Sequence, residues 1–376
     1  MVSERASKLH YSSIIVDTHS DSIDRAVDRG EDLGRETGQG FMDLPRMRQG
    51  NLTAQFFACF VDPKYIPERK SIQRVLDMAD AVKQLCAQNP LEIGLARTAS
   101  DVRRLSAEGK RSAILCVEGG HAIEDDLAVL RQFHELGVRY MTLTWHNTNN
   151  WADGILDEAR HNGLTDFGRE VVREMNRLGM MVDVSHASIK TFWDAIEATS
   201  RPIIASHSSC WSICQHPRNM NDDQLKAMAR NGGVVCVCFI NPHISESYRQ
   251  QFDALNQRKQ KELKELEERF SSGGAALDTA VKDLGTRYEE VTKSEIVLPN
   301  YTEIVDHIEH IIQVAGIDHV GLGADLNFSS IPRGMEDCTR YPWITEELVR
   351  RGYSDEEIKK VLGENVLRLM EEVIGQ

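Results

Sequence analysis

No stretch of this sequence is both long and apolar enough to cross a bilayer as a helix. The N-terminal stretch MVSERASKLHYSS lacks the continuous apolar segment of a secretory signal. A cytoplasmic protein with no membrane partner is therefore expected. Positive charge is also short: 44 Lys and Arg against 58 Asp and Glu give a formal net charge of −14. That balance argues against general affinity for nucleic acid or for an anionic membrane surface. It leaves room for an acidic small molecule, because one local arginine overrides the mean field. The eight cysteines include no CxxC pair, and several lie inside apolar runs such as AILCV and VVCVCF. Buried, reduced thiols are expected rather than a disulfide framework. No repeat of about 20–50 residues occurs, which removes the solenoid class.

Apolar residues make up 41% of the 376 positions, enough for a large core. Runs suited to buried strands recur at 13–20, 52–61, 112–119, 139–145, 179–186, 201–207, 233–240 and 319–326. Helical patterns such as 71–88 and 167–179 lie between most of them, with apolar residues at three- and four-residue steps. Strands alternating with helices pair in parallel, and eight such units predict an α/β fold of the (β/α)₈ TIM-barrel type. The chain is read as one barrel domain, 1–376. Residues 245–298 break the rhythm and contain QRKQKELKELEERF (257–270), where Glu and Lys recur at i,i+4 and apolar anchors are few. A helical insertion after the seventh strand is expected there. Its composition fits a solvated hairpin, and its place at the loop face of a barrel also fits a lid or the arm of a homodimer.

The strand ends carry the chemistry. The first run, SIIVDTHSDS, stops at His19 and Asp21, and residues two apart on a strand share a face. Glu118 ends the third run, in CVEGGH, and Trp145–His146–Asn147 the fourth; His186 ends the fifth, His207 the sixth and Asp325 the eighth. Barrel enzymes gather their reactive groups at this end. Taken singly, each residue has an ordinary explanation: a hydrogen-bonded histidine, a glutamate opening a loop, an aspartate capping a helix. Together they would need five or six coincidences on one face. His243, after the seventh run, is a fainter candidate; His121 and His216 read as loop neighbours.

Three histidines and two carboxylates suit Zn²⁺, and less decisively Mn²⁺ or Fe²⁺. Five ligands and a water crowd one ion, whereas two ions share them if one carboxylate bridges. Glu118 lies between the HxD pair and the later histidines in strand order, which makes it the bridge. Two ions about 3.5–4 Å apart would hold a hydroxide and polarise a carbonyl, leaving Asp325 to move protons.

The stretches VDTHSDS, VEGGHAI, GVRYMTLTW, LTDFGREVVREMNRLGMMVDVSHAS, RPIIASHSSCWSICQHPRNMNDDQL and HVGLGADLNF carry a family likeness. The sequence resembles the membrane (renal-type) dipeptidases, within the amidohydrolase superfamily of metal-dependent barrels. The likeness spans roughly 12–372 without the insertion. It implies a binuclear zinc site, with His19 and Asp21 on one ion, His186 and His207 on the other, and Glu118 between. It further implies that Arg218, in HPRNM, takes the C-terminal carboxylate of a dipeptide, for which a planar guanidinium fork is suited. Asp325 would be the acid/base residue and would also meet the substrate amino group. A D-residue at the C-terminal position would be tolerated.

Two positions depart from the renal pattern. Renal members have a histidine directly after TLT, where it contacts the substrate carbonyl; here Trp145 stands there and His146 follows. A one-residue slip on a strand turns a side chain to the other face, unless a loop there compensates, so His146 and Asn147 are rivals for the role. Asn327 replaces an aspartate beyond the acid/base residue. The expected activity is zinc-dependent hydrolysis of dipeptides. Other amidohydrolase reactions (lactonase, deaminase, N-acyl-amino-acid hydrolase) fit the same constellation, and a non-catalytic zinc-binding protein is the remaining reading.

Overall fold

Runs of β-branched and aromatic residues become strands whose side chains are almost wholly buried, as a parallel sheet covered on both faces requires. The computed structural model describes residues 2–270, 274–326 and 330–375. Nine strands are found among them: β1 (Ile15–Ser20), β2 (Leu52–Phe60), β3 (Ile93–Leu95), β4 (Arg111–Glu118), β5 (Val138–Thr142), β6 (Met181–Asp183), β7 (Ile204–Ala205), β8 (Val234–Val237) and β9 (Val320–Leu322). All pair in parallel, β1 with β2 and β9, and β2 with β4, so that eight of them close into a barrel. The eight predicted runs supply those eight strands. The ninth, β3, was not expected. It pairs with residues 111–113 of β4, whereas β5 joins β4 only from Leu115 onward. A three-residue strand carries too little pattern to be read.

The barrel interior is filled by Val16, Phe56, Cys116, Tyr140, Ile204 and Cys236, among others. The C-terminal helix Asn365–Val373 adds Val366, Leu369 and Met370 to the same cluster. A larger apolar layer lies between strands and outer helices. The helices follow their sequence signals closely. Ser71–Gln88 matches its predicted span, and Asp166–Leu178 starts where the Thr165 side chain accepts from the Gly168 N–H. It stops at Gly179, whose φ of 75° is left-handed.

The insertion after β8 forms two helices, Glu246–Arg269 and Ala275–Glu295. Tyr248, Leu255, Leu284, Tyr288 and Ile296 form a small buried cluster between them. No helix among the described residues is long and apolar enough to cross a membrane.

Candidate metal centre

Several strands, β6 and β7 among them, end earlier than their apolar runs suggest, and buried carboxylates tie neighbouring strands together at this end of the barrel. Asp17 Oδ1 accepts from the backbone N–H of His19 (2.9 Å) and of Ala324 (3.1 Å), tying the end of β1 to that of β9. Asp183 Oδ1 does the same for Ser185 (3.0 Å) and Ser206 (2.9 Å), tying β6 to β7. His186 and His207 therefore sit in short turns just past their strands. Gly323 is required in this arrangement, because a Cβ there would lie 1.8 Å from the Ser206 carbonyl oxygen. His186 (φ 67°) and Asp325 (φ 57°) both occupy the left-handed region without being glycine. Such strain costs on the order of 1–3 kcal/mol and clusters at functional sites.

The turns bring His19, Asp21, Glu118, His186, His207 and Asp325 into one buried cluster. Glu118 stands at its centre, and its two oxygens divide the others. Oε2 lies 3.5 Å from His19 Nε2, which in turn is 3.6 Å from Asp21 Oδ1. Oε1 lies 2.9 Å from His186 Nε2 and 3.4 Å from His207 Nε2. Ligand atoms about 2.0–2.2 Å from a tetrahedral ion are roughly 3.3–3.6 Å apart. Most of these separations fall in that range and are too long for good hydrogen bonds. Asp325 joins His19 and Asp21 in a second group whose ligand-type atoms all lie within 4.8 Å of one another.

Hydrogen bonds fix which imidazole nitrogen carries the proton. Tyr140 OH donates its only proton to the Thr18 carbonyl (2.9 Å), so His19 Nδ1–H must donate to the phenol (2.8 Å). Ser206 Oγ donates to Asp183 Oδ2 (2.6 Å), so His207 Nδ1–H must donate to the serine (2.8 Å). Both histidines therefore turn Nε2, the nitrogen that would ligate a metal, toward the cluster. His186 Nε2 lies 2.8 Å from His207 Nε2, and its Nδ1 has no hydrogen-bond partner. Tyr140, Asp17, Asp183 and Ser206 were missed in the sequence. Only the two aspartates gave a signal, a carboxylate inside an apolar run, in VDTH and again in VDVSH.

The electrostatics ask for a cation. Burial lowers His19, but Glu118 and Asp21 outweigh it and raise its imidazole well above the usual range. Burial raises Glu118, and the facing His19 and His186 reverse this and hold its carboxyl low. Burial keeps His186 and His207 neutral, reinforced by Arg218 and, for His207, His19. Asp325 is pushed up to about 7, by burial first and by Asp21 and Glu118 as neighbouring anions. The donor set of imidazole nitrogens and carboxylate oxygens, with lone pairs converging in a buried space, fits divalent metal ions.

Arg218 is not the surface residue its loop context would suggest. It is buried, donates from Nη2 to the His207 carbonyl (3.2 Å), and has no hydrogen-bond partner at Nε. No carboxylate pairs with it among the described residues. His146 stands beside the cluster, stacked on Trp145 (ring centroids 4.0 Å apart) and 5.0 Å from the His186 ring. Because β5 ends at Thr142, both belong to a loop, and the expectation that a one-residue slip turns His146 away does not apply. Asn147 follows in the same loop, its backbone packed against Gly154. No described hydrogen bond or ring contact joins it to the cluster. His243 is paired with His216 (ring centroids 4.2 Å), and both are kept neutral by burial. Asn327 lies outside the described residues.

Several solved structures are similar to this one. The probable dipeptidase PvdM from Pseudomonas aeruginosa superposes with a TM-score of 0.82 at 24% identity, each chain covered to 98%. A metallopeptidase of family M19, dipeptidase AC, gives a TM-score of 0.78 at 25% identity, covering 97% of this chain and 99% of that one. A metallopeptidase from Rhodobacter sphaeroides, bound to a phosphinate mimic of the dipeptide L-Ala-D-Ala, gives 0.75 at 25%, covering 96% and 99%. The model of the membrane dipeptidase family, peptidase family M19, matches residues 3–375. The chain belongs to that family and is a metallo-dipeptidase.

Proposed function

We propose that this dipeptidase works with two zinc ions bridged by Glu118, one held by His19 and Asp21 and the other by His186 and His207. The division of the cluster between the two Glu118 oxygens supports the bridge. Bound zinc would supply Lewis-acid activation of water and of the scissile carbonyl. The chain's own groups do the rest. Arg218 binds the substrate C-terminal carboxylate and fixes the distance to the peptide bond, which restricts the enzyme to dipeptides. Asp325, with its carboxyl raised to about 7, accepts the proton of the attacking water and returns it to the leaving amine nitrogen. His146, lowered to about 4 by burial and by Arg218, is neutral and stands ready to donate a hydrogen bond to the carbonyl oxygen. The L-Ala-D-Ala mimic bound by the Rhodobacter relative supports acceptance of a D-residue at the C-terminal position.

Arg218 is the observation that carries this reading, a buried guanidinium without an anionic partner beside the ligand cluster. A buried cation left unpaired costs several kcal/mol, and a substrate carboxylate supplies the missing charge. Replacing Arg218 by Met is expected to lower kcat/KM for dipeptides about 100-fold or more, with zinc content unchanged. Unchanged turnover would remove Arg218 from substrate binding and leave the carboxylate to be held elsewhere. The eight cysteines are all free, seven of them buried, which supports a reducing compartment such as the cytoplasm.

A further inference from the structure

A cavity of about 270 Å³ opens beside the metal-type ligands and touches both His186 and Arg218. Its walls are largely apolar, with Ile155, Val184, Phe192, Trp211 and Met220 among them. Arg218 is the one ionised residue lining it. Two large apolar side chains that line it reach solvent: Ile189 is 52% exposed and Trp211 39%. Neither exposure is explained by the protein's own core, whereas the buried walls Phe192 and Met220 belong to it.

An amino acid's α-carboxylate and side chain leave the same Cα. Once the carboxylate of a dipeptide sits on Arg218, the side chain of that residue starts two bonds from the carboxylate carbon and therefore close to the guanidinium. The cavity that begins at Arg218 is then the space it enters. A dry apolar cavity of about 150 Å³ already takes a benzene molecule, so this one has room for a phenyl or isobutyl group. A charged side chain would enter without a counter-ion, since Arg218 is occupied by the α-carboxylate. Glycine and alanine would leave the walls in contact with water.

We propose that this cavity receives the side chain of the C-terminal residue, so that the enzyme selects dipeptides ending in a large apolar residue of the phenylalanine or leucine class. The proposal rests on the reading of Arg218 as the carboxylate site. It is tested by measuring kcat/KM on Ala-Gly, Ala-Ala, Ala-Leu, Ala-Phe and Ala-Asp, with both configurations of the second residue, using the zinc-loaded enzyme. Leu and Phe in at least one configuration are expected to exceed Gly and Asp by on the order of ten- to hundred-fold, the effect of burying one such side chain. Hydrolysis of the whole set with Gly or Asp equal to or above Phe overturns the cavity assignment and leaves the dipeptidase reading standing. A preparation inert on every member overturns both. A second variant places the specificity: Ile189→Asp sets a carboxylate at the exposed rim and should cut the Ala-Phe to Ala-Gly ratio about ten-fold. An equal fall for both substrates would show that the cavity does not sort side chains.

Discussion

Charged residues are dense both at the mouth of the barrel and along the helical hairpin at Glu246–Arg269 and Ala275–Glu295, but they stand in different surroundings. In the mouth, the Glu118 and His186 side chains are 4% and 5% exposed. On the hairpin, the paired Arg287 and Glu262 are 57% and 38% exposed. Water solvates the second pair whether or not it forms, so two charges about 4 Å apart gain roughly 1 kcal/mol or less there. In the mouth, three carboxylates have been taken out of water at a cost of several kcal/mol each. Only cations or imidazole protons offset that cost. The same residue types thus report solvation in one place and a ligand in the other, and burial decides between them.

The comparison breaks most visibly at Glu118. Exchanging it for Gln keeps the shape and removes the charge that faces all three histidines. We expect turnover of dipeptides to fall about 1000-fold or more, and zinc to drop from two ions per chain to one or none by elemental analysis. Retention of two ions would contradict the bridge.

Tyr140 tests the mouth more gently. Its phenol accepts from His19 Nδ1–H and donates to Thr18, so it sets the tautomer without being a ligand-type residue. Tyr140→Phe lets the proton move to Nε2 and should weaken zinc at the His19 position about 10- to 100-fold, the usual effect of losing such a support. Competition with a chelator measures this. The His186 and His207 position should hold its ion, because Ser206 and Asp183 support that side separately. Equal weakening of both ions would mean that the two positions are not independently supported.

Much of this was legible in the sequence, for reasons that differ residue by residue. Eight buried strands announced themselves as apolar runs, and the ligand types stood out because they ended those runs. Strand order set Glu118 between the HxD pair and the later histidines, and its two oxygens face those two groups. Later strand ends such as that of β6 were overrun, since a periodic reading cannot see that Asp183 turns the chain early. Where β5 stops, at Thr142, decides that His146 stands in a loop, the alternative that the sequence left open. Tyr140 was invisible because a tyrosine in a strand is ordinary; only its place beside His19 gives it a role. The burial of Arg218 was equally hidden, since HPRNM reads as a polar loop and its depth is a property of the closed barrel.

The smallest effect belongs to the hairpin, and it separates a solvated insertion from a working lid. Arg287 pairs with Glu262, which also accepts from Tyr288 OH at 2.6 Å. Arg287→Ala removes one exposed ion pair and leaves the tyrosine bond and the buried Leu284 and Tyr288 in place. The expected loss of stability is below about 1 kcal/mol, a shift in Tm of a degree or two by calorimetry. Dipeptide turnover should stay as it was, because a surface pair screened by salt transmits little to a buried centre. A several-fold fall in kcat with stability intact would reverse the contrast between the two regions. Hairpin charge would then act on the catalytic face, as a lid does when its closure limits the rate.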